Sequence, residues 1–451
     1  MMHGHAEAFD KKQLKASLYE TASVPVDRSV WTLDHTPPAH PPLMGDVEAD
    51  IVVVGAGVVG ASLSLHLAER GINTVLIDAA QPADAASGRN AGHVQPYLLS
   101  LEPLADLPGK GRPFLDCLIE HRNIVFELCQ RHGIDADQVQ GGLLEVARKP
   151  SAALESAAKQ WAGLGLDVEI LGADRLRPLV GTDRYSFGTI WRNGGSVNPF
   201  LLTNGMVQAA AGLGARVYGD SPVRACERQG GRWKVRTASG SVLADRVVLC
   251  TNGHVGADFF ADLQRTQFPL LACGLATRPL PQSFLDVVNP KRIAMSQHPA
   301  GLYPMVVDRK GRLISATIPG VGRAHRSDLY FQYFLRHLRR VYPEARDVRI
   351  ELETYWTGMT HNSSAIYEKA YPKFYRVDEG LFALMNFGSW GNHLGPMMGM
   401  DVARALAADR PDSAALGCER PEQVRFSGSF STKLRRFLIP SARLADRFGL
   451  V

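Results

Sequence analysis

The sequence predicts an α/β chain, α+β overall: a discontinuous Rossmann-like dinucleotide-binding domain interleaved with a second domain on an antiparallel sheet. Three observations carry this expectation. Residues 50–78, DIVVVGAGVVGASLSLHLAERGINTVLID, read in order as strand, glycine turn, helix, strand and terminal acid. Residues 246–254 (RVVLCTNGH) and 381–404 (LFALMNFGSWGNHLGPMMGMDVAR) are later apolar strands that each run into a turn of small residues. Between them, residues 268–318 alternate short apolar runs with tight turns, the mark of antiparallel strands.

The first stretch sets the frame. Residues 51–54 are a β-branched run, the pattern of a strand buried on both faces. Gly55, Gly57 and Gly60 follow as G-x-G-x-x-G, and apolar residues then recur at helical spacing until Gly71 ends the helix. Gly55 permits the tight turn, Gly57 lets the backbone approach a pyrophosphate, and Gly60 lets helix and strand pack closely. Val58 and Val59 open a helix whose unpaired N–H groups and positive dipole end suit that pyrophosphate. Asp78, followed by Ala79, closes the second strand and can accept hydrogen bonds from ribose hydroxyls. A bare β–α turn uses the same glycines, but all five parts at this spacing point to a dinucleotide.

Composition narrows the class. The 451 residues are 45% hydrophobic and 21% charged, which fits a globular chain with core for two or three domains. No run approaches the ~18 uninterrupted apolar residues of a membrane span. The first twenty residues lack an apolar signal core, so a cytoplasmic protein is expected. A net charge of +5 is too small and too dispersed to point to nucleic acid. Cys117, Cys129, Cys226, Cys250, Cys273 and Cys418 include no C-x-x-C pair, so neither a zinc site nor a disulfide framework is expected.

In chain order, residues 1–47 form a polar extension in which Pro37, Pro38, Pro41 and Pro42 exclude regular helix. Tyr19 and Trp31 are its candidates for pinning it to the body. Ser87, Gly88, Arg89, Asn90, Ala91, Gly92 and His93 bring two glycines, a cation, an amide and a hydroxyl into seven residues. Such a loop offers N–H groups and a fixed charge to a phosphate or a ring edge. A polar loop that merely starts a helix looks the same; the upstream motif favours the binding reading. Residues 112–133 and 151–164 read as helices, with Trp161 in the core, and residues 141–148 (GGLLEVAR) as a strand.

A helix starts at Asn198 and Pro199, and residues 233–237 and 241–248 form a hairpin. Thr251, Asn252 and Gly253 close the next apolar strand, as an ordinary turn or against a cofactor. Strands follow at 268–277, 302–307 and 312–318, the last two joined by a turn at 308–311. Tyr303 is a candidate pocket residue or a core tyrosine. Gly388, Gly391, Gly395 and Gly399 punctuate the final loop and helix, with Trp390, Asn392, His393 and Leu394 at its mouth. His393 reads equally as substrate-facing or structural. The basic tail 430–450 reads as a packed surface helix interrupted at Pro440 rather than as a membrane-surface segment.

The segments GAGVVGASLSLHLAERG, VLIDA and AASGRNAGH, in this order, resemble the D-amino-acid oxidase-like superfamily of FAD-dependent oxidoreductases. Within it, SGRN-x-G and the SLYETA stretch at 17–22 are similar to the gamma-glutamylputrescine oxidoreductase branch. The resemblance implies FAD in extended form, contacted by the 87–93 loop, by Val223 and by residues 251–253. It also implies a last helix whose N-terminus stabilises negative charge on reduced flavin. The implied reaction is oxidation of a C–N bond in an amine or amino acid, by hydride transfer to flavin N5, giving an imine that hydrolyses to a carbonyl.

Tyr303, Trp390 and His393 are the candidate catalytic residues. Some family oxidases place a lysine above the flavin in the strand after the 308–311 turn. Here that position falls near Ile314, and no lysine lies in 313–318, so the acceptor stays open between oxygen and a dye- or quinone-type molecule. The expected cofactor domain comprises residues 48–110, 190–260 and 351–425, the substrate domain 111–189 and 261–350, and the basic tail 426–451. The alternatives are a nicotinamide-linked enzyme, a D-amino- or imino-acid dehydrogenase, and a non-catalytic FAD-binding subunit.

Overall fold

The structure is a computed structural model and describes residues 27–255, 257–298, 301–365, 369–424 and 431–448. Tyr19 and the SLYETA stretch lie outside the described residues. The glycine-motif strand, Gly45–Val54, sits in the middle of the first sheet. It pairs in parallel with Thr74–Ile77 on one side (Val52 opposite Val75) and with Gly240–Leu249 on the other (Val52 opposite Val247). The order is Lys373–Asp378, Leu381–Met385, Gly240–Leu249, Gly45–Val54, Thr74–Ile77, Arg216–Tyr218, with only Lys373–Asp378 antiparallel in this row. The chain leaves the motif strand toward one edge and later returns to the other. The end of that strand is therefore a switch point, where open α/β sheets leave a crevice for ligands.

The expected hairpin forms from Arg232–Arg236 and Gly240–Leu249 (Trp233 opposite Ala244). The motif strand begins earlier than its apolar run, because residues 45–49 pair with residues 240–244. Those added residues are largely exposed, so a two-faced hydrophobic signal does not mark them.

A second sheet of eight strands runs Leu352–Asn362, Phe268–Thr277, Leu313–Thr317, Met305–Val307, Ala294–Gln297, Leu143–Ala147, Phe187–Trp191, Val168–Gly172. It is antiparallel except where Ala294–Gln297 meets Leu143–Ala147. Side chains alternate between its faces. Leu144, Val146, Cys273, Leu275, Met305, Val307 and Leu313 pack outward under the helix Ser327–Val341. Leu143, Trp191, Ala276, Ala294, Val306, Ile314 and Trp356 face inward and join the large core that holds the first domain's helices.

Several segments sit elsewhere than expected. Leu352–Asn362, expected with the cofactor domain, is the edge strand of the second sheet. The helices Arg112–Glu120 and Ile124–His132, expected with the substrate domain, bury Phe114, Leu118, Val125 and Leu128 in the first domain's core. Pro440 does not interrupt the tail helix. The turn before it widens to π-helix over Leu434–Leu438, and Pro440 enters the first turn of Ile439–Arg447, where no N–H is needed. The tail packs on the second sheet's outer side. Arg443 Nη2 donates to Thr317 Oγ1 (3.0 Å), and buried Asp446 pairs with Arg148 (3.1 Å), His337 (3.2 Å) and Arg340 (3.0 Å). Phe437, Leu438, Leu444 and Phe448 stay exposed on its far side. No helix among the described residues is long and apolar enough to cross a membrane.

Candidate active site

The glycine turn is as tight as its sequence demands. Gly55 has φ +105°, and a Cβ on Gly60 would lie 1.9 Å from the Gly55 carbonyl oxygen. The Cys250 carbonyl, at the end of the neighbouring strand, presses on Gly55 from the other side. Helix Val58–Ala68 follows. The Val58 N–H donates to Ser87 Oγ (2.9 Å), and no N-cap side chain covers the remaining N–H groups of its first turn, those of Val59 and Gly60. This is the environment an anionic pyrophosphate requires. Asp78 is held at the turn by the N–H groups of Ala56 (2.5 Å) and Ala80 (2.8 Å), with Ala79 exposed beside it. The Ser221 N–H donates to the Asp78 carbonyl (2.8 Å), which brings half-buried Val223 to the same end of the sheet.

The 87–93 loop crosses from this turn toward the second sheet. Gly88 is compulsory, since a Cβ there would meet the Ala83 carbonyl oxygen at 2.2 Å. Asn90 and Asn392 form a reciprocal amide pair: Asn392 Nδ2 donates to Asn90 Oδ1 (2.8 Å) and Asn90 Nδ2 to Asn392 Oδ1 (3.1 Å). Asn392 Nδ2 also reaches the His93 carbonyl (2.9 Å), and Asn90 Oδ1 accepts the Gly92 N–H (2.9 Å). Two indoles clamp the loop's backbone around Ala91: Trp31 Nε1 donates to the Asn90 carbonyl (2.8 Å) and Trp356 Nε1 to the Arg89 carbonyl (2.8 Å). Trp31 thus pins the N-terminal extension. Arg89 pairs with Asp27 (2.9 Å) and donates to the Asp84 carbonyl (2.8 Å), so its charge is engaged within the protein. His93 touches the Met305 backbone on the second sheet, and burial pulls its pKa down to about 4, leaving it neutral near pH 7.

The third element is the loop before helix Gly391–Ala407. Gly388 (φ +55°) leaves no room for a Cβ, which would meet Asn362 Oδ1 at 2.1 Å. Of the glycines expected to punctuate the final loop and helix, Gly395 and Gly399 lie inside the helix. There they let it touch the motif helix: their Cβ positions would fall 3.1 Å from Val58 Cγ1 and 2.8 Å from the Leu63 nitrogen. The two cofactor-facing helices are thereby packed side by side, and Ser62 Oγ donates to the Pro396 carbonyl (2.8 Å) across them. Thr251, Asn252 and Gly253 tie this loop to the central strands. The Asn386 N–H donates to Asn252 Oδ1 (3.0 Å), and Gly253 backs onto the ring of His361.

The structure places Tyr303 in a different core from Trp390 and His393. Tyr303 shares the outward parity of Met305 and Val307, so its ring lies in the outer core, 4.7 Å from the ring of His337, where burial raises its pKa to about 12. Trp390 and Leu394 are core residues of the first domain. His393 is fully buried, neither ring nitrogen has a partner among the described residues, and desolvation lowers its pKa to about 3. It is the third residue of the helix that starts at Gly391, so it lies in the first turn with its side chain turned into the core.

One residue of the inner face went unmarked in the sequence. Glu145 projects inward from Leu143–Ala147, beside Ser296 and Thr189 on the flanking strands. Tyr97, stacked on Trp191 at 3.6 Å and 15°, hydrogen-bonds its carboxyl, Trp191 Nε1 donates to Thr189 Oγ1 (3.1 Å) beside it, and burial pushes its pKa up to about 7. Tyr97 continues from the 87–93 loop, so loop and sheet meet at this acid. Its only trace in the sequence is a charge within the alternating GGLLEVAR.

Three chain segments thus converge on the end of the motif strand, and residues 50–405, which contain them all, match the FAD dependent oxidoreductase (DAO) family. The chain belongs to that family. It is an FAD-dependent oxidoreductase, and the nicotinamide-linked reading falls away. The gamma-glutamylputrescine oxidoreductase of Escherichia coli (strain K12) is 26% identical over 370 residues, 80% of this chain and 84% of that protein. Among solved structures, an L-amino acid deaminase from Proteus vulgaris superposes with TM-score 0.65 at 20% identity, over 84% of this chain and 94% of its own. Glycine oxidase from Bacillus cereus gives 0.63 at 20% identity, over 80% and 95%. The family's cofactor fits the residues present. The uncapped motif helix and Asp78 suit its adenosine and pyrophosphate half; the locked 87–93 loop, Thr251–Gly253 and the mouth of helix Gly391–Ala407 suit the flavin half.

Proposed function

We propose that this chain oxidises the C–N bond of an amine or amino acid in the space between the 87–93 loop and the inner face of the second sheet. The observation that carries this is the contact of His93 with Met305, which brings the cofactor loop onto a sheet face made of Ala294, Val306, Ile314 and Trp356. A dry, apolar wall with few polar groups suits a reaction governed by orientation more than by a strong protein base. When bound, FAD would supply the two-electron acceptor for oxidation of the C–N bond, and the imine product would be hydrolysed by water to a carbonyl and a free amine. The chain's residues position and dry the site. The Asn90–Asn392 pair holds loop and helix in register, Trp31 and Trp356 fix the loop backbone, and His93, neutral at working pH, adds no charge beside the substrate. The Escherichia coli relative, named for an amine, supports an amine substrate.

We also propose that electrons pass to an acceptor other than oxygen. Ile314 is buried on the inner face, and Leu313–Thr317 contains no lysine to promote reaction with oxygen. Anaerobic mixing of the holoprotein with a panel of amines and amino acids tests both points. Bleaching of the flavin band by some member is expected, followed by fast reoxidation with a quinone-type dye and slow reoxidation in air. Failure of the whole panel to bleach the flavin rejects the reading.

A further inference from the structure

The second sheet's charge is distributed in a way the cofactor does not explain. Among the described residues of its eight strands, the Asp, Glu, Lys and Arg side chains are Glu145, Glu169 and Glu353. Glu169 is paired with Arg192 (2.7 Å) at the surface, and Glu353 lies 3.9 Å from Arg312 on the opposite face to Trp356. Glu145 alone shares the inward face of Leu143, Ala294, Val306, Ile314 and Trp356. It keeps partial exposure, with Tyr97 hydrogen-bonded to it and Trp191 stacked on Tyr97. Among the described residues no cation is paired with it: the loop's cation, Arg89, is engaged by Asp27, and Arg148 at the end of the same strand is engaged by Asp446.

An inward carboxyl held by the neutral donor Tyr97, with no counter-ion, is costly unless a cation arrives. Aromatic faces beside it favour the same visitor. A substrate carboxylate, by contrast, needs an arginine or lysine, which the inner face of these strands lacks. We infer that Glu145 is the recognition site for the ammonium group of the substrate, so that the chain selects alkylamines or diamines over simple α-amino acids. This rests on the amine or amino-acid reading above and names which of the two classes the site takes. Tyr97 acts as a positioning residue that holds the carboxyl in place, and Trp191 stacks on Tyr97.

The test uses FAD-loaded wild type, Glu145→Gln and Glu145→Asp, with two readouts. The first is the ratio of half-reducing concentrations for a butylamine and for glycine, measured anaerobically in one preparation so that partial loss of folded protein cancels. The wild type is expected to favour butylamine by about tenfold or more, the size of one charged hydrogen bond. Glu145→Asp should keep that preference and Glu145→Gln should lose it. The second readout needs no turnover: butyltrimethylammonium, a permanent cation, should raise the melting temperature of wild type and of Glu145→Asp but not of Glu145→Gln. An equal shift in all three, or an amine preference that survives Glu145→Gln, overturns the assignment even if amines bleach the flavin. If nothing in the panel bleaches the flavin, the oxidation reading fails, and the melting shift still decides whether Glu145 binds a cation.

Discussion

Replacing Asn392 by alanine tests whether the loop–helix lock holds the cofactor site together. Asn392 is buried, and its amide makes three bonds: to Asn90 Oδ1 (2.8 Å), to the His93 carbonyl (2.9 Å), and from Asn90 Nδ2 (3.1 Å). At ~1 kcal/mol net each, their loss costs ~3 kcal/mol. The damage is unevenly shared. Asn90 Oδ1 keeps the Gly92 N–H, and Asn90 Nδ2 keeps only long contacts to Ala86 and Ser87 (3.4 and 3.3 Å). The His93 carbonyl is left to find water. Because Asn90 and Asn392 act as a unit, a double-mutant cycle with Asn90→Ala should show coupling of about 1–2 kcal/mol rather than additivity. The assay is denaturant unfolding with excess FAD, alongside the fraction of flavin retained after gel filtration. The variant should unfold earlier and lose flavin. Unchanged stability and flavin retention, or additive single-mutant effects, would refute the lock.

Three further outcomes follow from the same geometry. Gly60→Ala puts a methyl 1.9 Å from the Gly55 carbonyl, so the turn must open and FAD should be absent from purified protein, read as the visible-to-ultraviolet absorbance ratio. Glu145 in its folded site titrates at about 7 against an ordinary 4.5, so the folded state binds the extra proton between those values. Stability of the apoprotein should therefore fall as pH rises through that window and level off above it, by up to ~3 kcal/mol before screening by water in the internal space. Glu145→Gln should flatten the curve when unfolding is followed from pH 5 to 8. Asp446→Ala leaves Arg148, His337 and Arg340 without their shared acid, a loss of roughly 3–5 kcal/mol at a buried site. Limited proteolysis should then cut residues 431–448 from the body before the wild type is touched.

The cofactor half of the fold was legible because it is written in backbone constraints. Gly55, Gly57, Gly60, Gly88 and Gly388 occupy places where a Cβ has no room or φ is positive, and such demands show in the sequence without knowledge of partners. The substrate half depends on which face of a strand turns inward, and alternation alone leaves the choice of face open. Tyr303 and Glu145 are the two sides of that ambiguity: the first points to the outer core with Met305, the second to the site with Leu143. Gly395 and Gly399 were visible as glycines, but their task, close packing on Val58 and Leu63, belongs to a helix pair that only the assembled fold reveals. The helix at Asn198 was readable from its own cap, since Asn198 Oδ1 accepts from the N–H groups of Phe200 and Leu201 (both 3.1 Å). Pro440 misled because a π-turn absorbed it.

The most direct measurement is the rate of flavin bleaching when FAD-loaded protein meets butylamine and butylamine deuterated at the α-carbon, under anaerobic rapid mixing. Breaking the α-carbon–hydrogen bond in the step that reduces the flavin predicts bleaching with the ordinary amine and a slower rate, with a primary isotope effect, for the deuterated one. A flavin that no amine or amino acid reduces, or one reduced at the same rate by both isotopologues in the single-turnover reduction at saturating amine, would contradict hydride transfer from an amine.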